Sequence, residues 1–574
     1  MLQRCFLLGL FAVQSISQEH GGDEFKNWPE RPGAWVQQTR GEVWPKPKLQ
    51  KQQSDFFLLR SSVFRFEIGS SHIHGPCDII DSAISRYYKR VFPPSATDIV
   101  SYLDSSNKRK RRRDARREVR TDPSYRGYLD SVEILMNNKA GCEKLPHLDM
   151  DEHYEVKINS PDDPGKAKII AFTVWGILRG LETFSQLVYP SMEYGDTVQY
   201  LVNGSQVMDS PRFSHRGVLI DTSRHYIAKS VIKDNLDLME MNKFNVFHWH
   251  ITDDPSFPYV SIKFPDLSKK GAWHETIAVY TQQDVADIIE YARLRGIRVV
   301  SEFDTPGHTQ SFEAGQPGLL AECYDESGVK TGGYGPMNPT KKRVYAFIQE
   351  FFEEVTQVFP DKYLHLGGDE VDFKCWRSNP EITEFMNKWN LTDDYTKLES
   401  IYIKKLLDIV SSFPTKNGYI VWQEVFDNGV QVKDDTIINV WKGQWEWELS
   451  RVTKAGYRVI LSSPWYLNYI SYGSDWTKYY TTEPLDFYGD AEQKSLIVGG
   501  EASMWDEFVN SINLTPRLWP RACAVAERLW SPADVRDLGN AKSRIQEMEC
   551  RMLQRGYPVQ PINGPAFCNI DWNA

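Results

Sequence analysis

The chain has 574 residues, 41% of them hydrophobic, and a formal net charge of −10. That length exceeds one compact core and reads as two domains, and the acidic balance excludes a chain that as a whole binds nucleic acid. The 18 tryptophans suit core packing, and equally the stacking of sugar rings, whose C–H faces lie well on aromatic planes.

In chain order, residues 1–17 combine a charged start at Arg4, an apolar run from Cys5 to Val13 and small residues at Ser15-Ile16-Ser17. This is the pattern of a secretory signal peptide, too short to span a membrane, and no other candidate span follows. Residues 18–43 are polar and rich in Gly, Glu and Pro, and read as a loose leader. Residues 44–210 mix short strand-like runs such as Phe64–Ile68 with helical patterns over Asp78–Tyr88 and Ala171–Val188, an α+β domain. Within it, Lys108–Arg113 followed by Arg116-Arg117 is a self-repelling block, expected as an exposed loop; the functional alternatives are a processing site or a polyanion-binding patch.

Entry into the secretory pathway licenses disulfides. Seven cysteines remain after Cys5, an odd number that leaves at least one unpaired. Cys523, inside the apolar run Arg521–Ala526, reads as the buried free thiol. Sequons at Asn203, Asn390 and Asn513 fit glycosylated surface positions. The localisation expected is the secretory pathway, ending in the lysosome or outside the cell.

From residue 211 to 574 the pattern changes to apolar strands alternating with helices. The strands predicted are Gly217–Asp221, Asn245–Thr252, Ile297–Phe303, Tyr363–Leu366, Tyr419–Glu424, Thr436–Trp441, Arg458–Ser462 and Leu496–Gly499. Helices are expected over Ser230–Asn242, Thr281–Arg295, Lys341–Phe359, Leu398–Ser412 and Pro516–Trp530. Eight near-continuously apolar strands with intervening helices predict an α/β fold, a (β/α)8 TIM barrel preceded by the smaller α+β domain. No Gly-rich phosphate turn follows the first strand, which argues against a doubly wound nucleotide-binding sheet.

Barrel active sites form where strands end, and here every end carries aromatic, acidic or basic groups. They include Asp221–His225, His248–Asp254, Glu302–His308, Asp369-Glu370, Trp422–Glu424, Trp441, Tyr466–Asn468 and Glu501–Glu507. Several tryptophans with several carboxylates and no phosphate loop describe a carbohydrate site, and the acids point to glycoside hydrolysis. His248 and His250 read as core hydrogen-bonding groups rather than metal ligands, and neither a metal nor a cofactor is expected. The centre is His365-Leu366-Gly367-Gly368-Asp369-Glu370, where glycines allow close backbone approach and two acids are adjacent. Neighbouring residues on one strand end cannot easily straddle a sugar ring. One is therefore the acid and the other a positioner, with the nucleophile supplied from elsewhere, the substrate itself included.

These motifs, together with Arg216-Gly217 through Tyr226 and Trp519-Pro520-Arg521, closely resemble the family 20 glycoside hydrolases of the lysosomal β-N-acetylhexosaminidase type, from about Trp44 to Cys568. The resemblance implies exo-hydrolysis of terminal β-linked GlcNAc or GalNAc by substrate-assisted retaining catalysis, an exception to the two-carboxylate scheme. It implies Glu370 as general acid and then base, Asp369 as the group that orients the acetamido substituent, and Tyr466 as donor to the acetamido oxygen. It gives Trp422, Trp441 and Trp505 as an apolar box, Arg224, Asn468 and Glu507 as further sugar contacts, and Asp253 with His308 as support for the acids. It also implies the disulfides Cys77–Cys142, Cys323–Cys375 and Cys550–Cys568, and a homodimer or a heterodimer with a related chain. One departure is Asn468-Tyr469: some members carry Asp at the first position, and those that handle sulfated sugars follow Asn with a basic residue. Preference for neutral or anionic substrates is thus open. The alternative function is a non-catalytic carbohydrate-binding protein on the same barrel.

Overall fold

The computed structural model describes residues 36, 39–69, 76–93, 119–137, 141–191, 194, 198–391, 393–566 and 568. The signal peptide, most of the polar leader and the basic block 108–117 lie outside the described residues. Residues 39–43, read from the sequence as part of that loose leader, are in fact docked. The Thr39 amide donates to Glu547 Oε2 (3.0 Å), and Val43 is buried in the N-terminal core.

The N-terminal region is a mixed eight-stranded sheet. Its main path runs Arg65–Ile68, Ser131–Met136, Asp163–Ala171, Tyr154–Ser160, Gln199–Asp209, Leu49–Leu59 and Tyr125–Tyr128, with Val188–Ser191 also paired to Gln199–Asp209. Inward positions alternate with half-exposed ones, as in Ser131–Met136, the period expected of a sheet with one buried face. Helices Asp78–Val91 and Val174–Leu187 pack on this sheet. The second begins where the Thr173 side chain accepts from the Gly176 amide (3.2 Å), a capping interaction. All 14 of its residues are buried, because it is sandwiched between sheet and barrel. Gly180 lets it sit that close: a Cβ there would lie 2.5 Å from Ile169 Cγ2.

The rest is a closed barrel of eight parallel strands: His215–Asp221, Val246–Thr252, Arg298–Phe303, Tyr363–His365, Gly418–Trp422, Ile437–Val440, Arg458–Leu461 and Ile497–Met504, the last pairing with the first. Helices including Lys229–Met241, Gln282–Arg293, Lys342–Val358 and Tyr395–Ser412 surround it. Val246, Val300, Ile420, Ile437 and Ile460 from the strand starts, with Leu148 from the N-terminal region, form an apolar plug, the branched filling usual in such barrels. Among the described residues three disulfides are present, Cys77–Cys142, Cys323–Cys375 and Cys550–Cys568, and Cys523 is a buried free cysteine.

Three element boundaries differ from the sequence reading for physical reasons. The fifth barrel strand stops at Trp422, and Gln423–Asp427 turns into a short helix. There the Gln423 side-chain oxygen accepts from the Trp441 and Lys442 amides (both 3.0 Å). The eighth strand does not end at Gly499 but runs to Met504. Its glycines mark close approach rather than a break, since a Cβ on Gly499 would overlap the His215 carbonyl. The helix expected over Pro516–Trp530 is two, Leu514–Leu518 and Arg521–Trp530, divided where Pro520 has no N–H to donate.

Candidate active site

The fourth strand is only three residues long, and the chain leaves it through Gly367 (φ +69°) and Gly368 (φ +97°). A Cβ on Gly367 would overlap the Asp304 carboxylate, and the Gly368 amide donates to Asp304 Oδ1 (2.8 Å). Asp304, at the end of the third strand, thus pins the turn that presents the two acids. Burial, then the neighbouring Asp369, pushes the Asp304 carboxyl well up. Glu370 itself has φ +46°, a left-handed conformation uncommon for a residue with a side chain. Its carboxyl is 57% exposed, whereas that of Asp369 is 12% exposed. The two neighbours therefore differ in environment, one reaching into the open pocket and one held in its floor.

His308, also left-handed at φ +54°, links the acids to the barrel interior. Its Nε2 lies 3.7 Å from Asp369 Oδ2 and 3.6 Å from Glu370 Oε2, and its Nδ1 donates to Asp253 Oδ1 (3.1 Å). Burial alone would lower the His308 pKa; Asp369, Asp304 and Asp253 outweigh it and hold the ring well above its ordinary value. Asp253 also accepts from His250 Nε2 (2.8 Å) and pairs with Arg224 Nη2 (2.8 Å). Burial would raise the Asp253 pKa, yet its two histidine partners keep it well below the usual carboxylate range. Arg224 is gripped a second time by Asp221 Oδ2 (3.0 Å) and lies over the Trp505 ring at 5.1 Å.

Adjoining this network through Trp505, whose ring lies 4.8 Å from that of His250, four aromatic rings enclose a space. Trp422 lies 6.4 Å from Trp441 and 6.0 Å from Trp505, and Tyr466 lies 6.0 Å from Trp441 and 6.4 Å from Trp505. Trp422 Nε1 donates to Glu302 Oε1 (2.7 Å), and Trp441 Nε1 to Glu424 Oε2 (2.8 Å). The Leu467 amide donates to the Ser503 carbonyl (2.8 Å), which fixes the loop carrying Tyr466 against the eighth strand. Burial raises the Tyr466 pKa well above its usual value, so the phenol remains a donor.

The structure brings Asp253, His308, Asp369, Glu370, Arg224, Trp422, Trp441, Tyr466 and Trp505 around one pocket. Asn468 is held at its mouth through its carbonyl, which accepts from Arg517 Nη2 (2.7 Å), and Tyr469 beside it is 65% exposed. Glu507 is at the rim, exposed, and its charge acts on Arg224. Of the sequons, Asn390 is exposed. Asn203 and Asn513 are half-exposed, and their amides donate to the Gln53 and Phe508 carbonyls. The sequence assigns Glu302, Asp304 and Glu501 no role beyond their places at strand ends.

Comparison with known proteins decides the family. The profile described as "Glycosyl hydrolase family 20, catalytic domain" matches residues 213–533, and a second, "beta-acetyl hexosaminidase like", matches residues 43–187. The chain belongs to glycosyl hydrolase family 20. This family 20 chain is 46% identical over 536 residues to beta-hexosaminidase subunit alpha of Bos taurus, covering 92% of this chain and 95% of that one. It is 47% identical to beta-hexosaminidase subunit beta of Homo sapiens, covering 92% and 89%. Among solved structures, a chitobiase of Flavobacterium johnsoniae superposes with a TM-score of 0.72 at 26% identity, covering 91% of this chain and 74% of that one. The family 20 chain is therefore a glycoside hydrolase built on a (β/α)8 barrel with a separate N-terminal domain.

Proposed function

We propose that the protein is an exo-β-N-acetylhexosaminidase that removes terminal, non-reducing β-linked GlcNAc or GalNAc. The observation that carries this is the placement of Asp369 and Glu370 side by side on one strand end, together with the Trp422–Trp441–Trp505–Tyr466 enclosure at the ends of other strands. Two conventional glycosidase carboxyls flank the scissile bond; these two share one side. The acetamido oxygen of the substrate then supplies the nucleophile. In the first step it attacks the anomeric carbon as the bond to the leaving oxygen breaks, and Glu370 gives that oxygen its proton. Tyr466 donates to the acetamido oxygen and Asp369 faces the acetamido N–H, whose positive charge grows as the oxazolinium forms. In the second step the Glu370 carboxylate takes a proton from water, which adds to the anomeric carbon and reopens the ring with net retention. The tryptophans pack on the acetyl methyl and the sugar faces. Arg224, held by Asp221 and Asp253, is aimed at ring hydroxyls, with Glu507 and Asn468 at the outer edge.

The three disulfides fit a protein of the secretory pathway, and we assign it to the lysosome or the exterior, entered through residues 1–17. The exposed apolar side chains Ile470, Tyr472, Phe508 and Ile512 at the pocket mouth are a surface that a second copy or a related subunit would cover. Release of a chromogenic aglycone from β-GlcNAc and β-GalNAc between pH 4 and 7 tests the activity. Glu370→Gln should lose about 10²–10⁴-fold on substrates with poor leaving groups, the usual contribution of general acid–base catalysis. Undiminished turnover of such substrates by the variant would refute the assignment.

A further inference from the structure

The barrel interior above the apolar plug holds an alternating run of imidazoles and carboxylates. His215 Nε2 meets Glu501 Oε1 (2.7 Å), and Glu501 Oε2 meets His248 Nδ1 (2.9 Å). His248 Nε2 meets Glu302 Oε2 (3.0 Å), which also meets His250 Nδ1 (2.6 Å). His250 Nε2 reaches Asp253, which reaches His308 beside the acid pair. The strand register builds this run. His250 pairs with Glu302 and Glu302 with His365 across adjacent parallel strands, so the three side chains emerge at one level.

Glu302 is the junction. It is fully buried, and it carries His248 and His250 on Oε2 and the Trp422 indole on Oε1, with His365 Nδ1 3.2 Å from Oε1. Its two branches reach different groups of the site, and Trp505, 4.8 Å from His250 and 6.0 Å from Trp422, lies between them. One, through His250 and Asp253, reaches His308 and Arg224; the other, through Trp422, reaches the aromatic enclosure. An imidazole whose two nitrogens both face carboxylates must donate from both, so His250 and His248 are imidazolium. Burial disfavours that charge, but the flanking acids raise His250 to about 10 and His248 to about 9.

We propose that Glu302 is a positioning residue for the reaction, holding the Asp253–His308 support of Glu370 and the Trp422 wall of the sugar enclosure in a fixed relation through one carboxylate. The inference rests on the glycosidase reading above. Glutamine at this position keeps the shape, but its NH₂ end would face an N–H that the carboxylate accepts. It cannot satisfy both branches.

The test is Glu302→Gln, compared with wild type by thermal unfolding and by kinetics on two β-GlcNAc glycosides. One has a dinitrophenyl leaving group that needs no proton, the other an alkyl leaving group that does. General acid assistance is worth about 10²–10⁴-fold, and the folded variant is expected to lose at least about tenfold more kcat/KM on the alkyl than on the dinitrophenyl substrate. KM should rise on both. Equal losses on the two substrates with KM unchanged would overturn the proposal while leaving the glycosidase reading intact. No release by the wild type from either substrate would overturn that reading, and the proposal with it. Should Glu302→Gln fail to fold, single-branch variants decide. His250→Gln should show the leaving-group-dependent loss, and Trp422→Phe, which deletes only the indole branch, the KM rise without it. Identical profiles for the two variants would overturn the proposal.

Discussion

Two buried ionic networks in this molecule are built from different cations. Where the N-terminal domain meets the barrel, the cation is arginine. Glu152 takes Arg179 Nε (2.8 Å) from the sandwiched helix and Arg216 Nη2 (2.6 Å) from the first barrel strand. Nearby, Arg90 pairs with Glu240 (2.8 Å) and Asp237 (2.9 Å) of the barrel helix, Arg86 with Glu240 (2.6 Å), and Arg555 with Glu182 (3.1 Å). Inside the barrel, and leading to the pocket, the cation is histidine. Arginine keeps its charge across the working range of pH and donates from a rigid fork. His248 and His250 donate to two acceptors in line, and the flanking carboxylates that raise them to about 9 and about 10 keep them charged. The arginine network fixes how the domains sit, and the histidine run ties the barrel interior to Asp253 and His308 beside the acid pair.

The first way to break this comparison is to cut the arginine network. Removing one partner from a buried ion pair costs about 3–5 kcal/mol, and Glu152→Ala strands two buried arginines. Denaturant unfolding should show a loss of that size, with KM of the remaining folded enzyme unchanged; a shifted KM would mean the two networks are not separate. The second way is pH. His248 and His250 have folded values of about 9 and about 10, above the unfolded value near 6.5. Between those limits the folded state binds extra protons, so their contribution is complete below pH about 6.5 and is lost as pH rises through 9 to 10. A melting temperature that falls over that span, with a shallower fall in His248→Asn, is expected. The smallest effect belongs to Glu399, a buried carboxyl in neither network. Among the described residues Asn428 alone donates to it (2.8 Å), and burial raises it to about 8. Folding then binds a proton between the usual carboxylate value and pH 8, and stability falls as pH rises through that window. Glu399→Gln should raise the melting temperature by a few degrees at pH 8 and leave it unchanged at pH 4.

The barrel was legible because its eight apolar runs are local, and the Gly-Gly-Asp-Glu turn because glycines and adjacent acids stand together. What escaped the sequence were contacts between distant residues. His215 and Glu501 are 286 positions apart, and Trp422 and Glu302 are 120 apart; no local spacing announces either. Local reading also ends the eighth strand at Gly499, where the missing side chain makes room for the His215 carbonyl and the strand runs on to Met504. Glu424 was read at the end of a strand that stops two residues earlier, where the backbone turns to let its carboxylate meet Trp441 and Lys442.

The central claim is that the nucleophile is the substrate's own acetamido oxygen, with Asp369 and Glu370 serving it from one side. It is tested most directly by the turnover of aryl β-glycosides whose N-acetyl group carries zero, one, two or three fluorines. Fluorine drains electron density from the carbonyl oxygen while leaving the sugar and the leaving group unchanged. The account predicts a steep, monotonic fall in kcat along the series. A kcat independent of fluorination would contradict it and place the nucleophile on the protein.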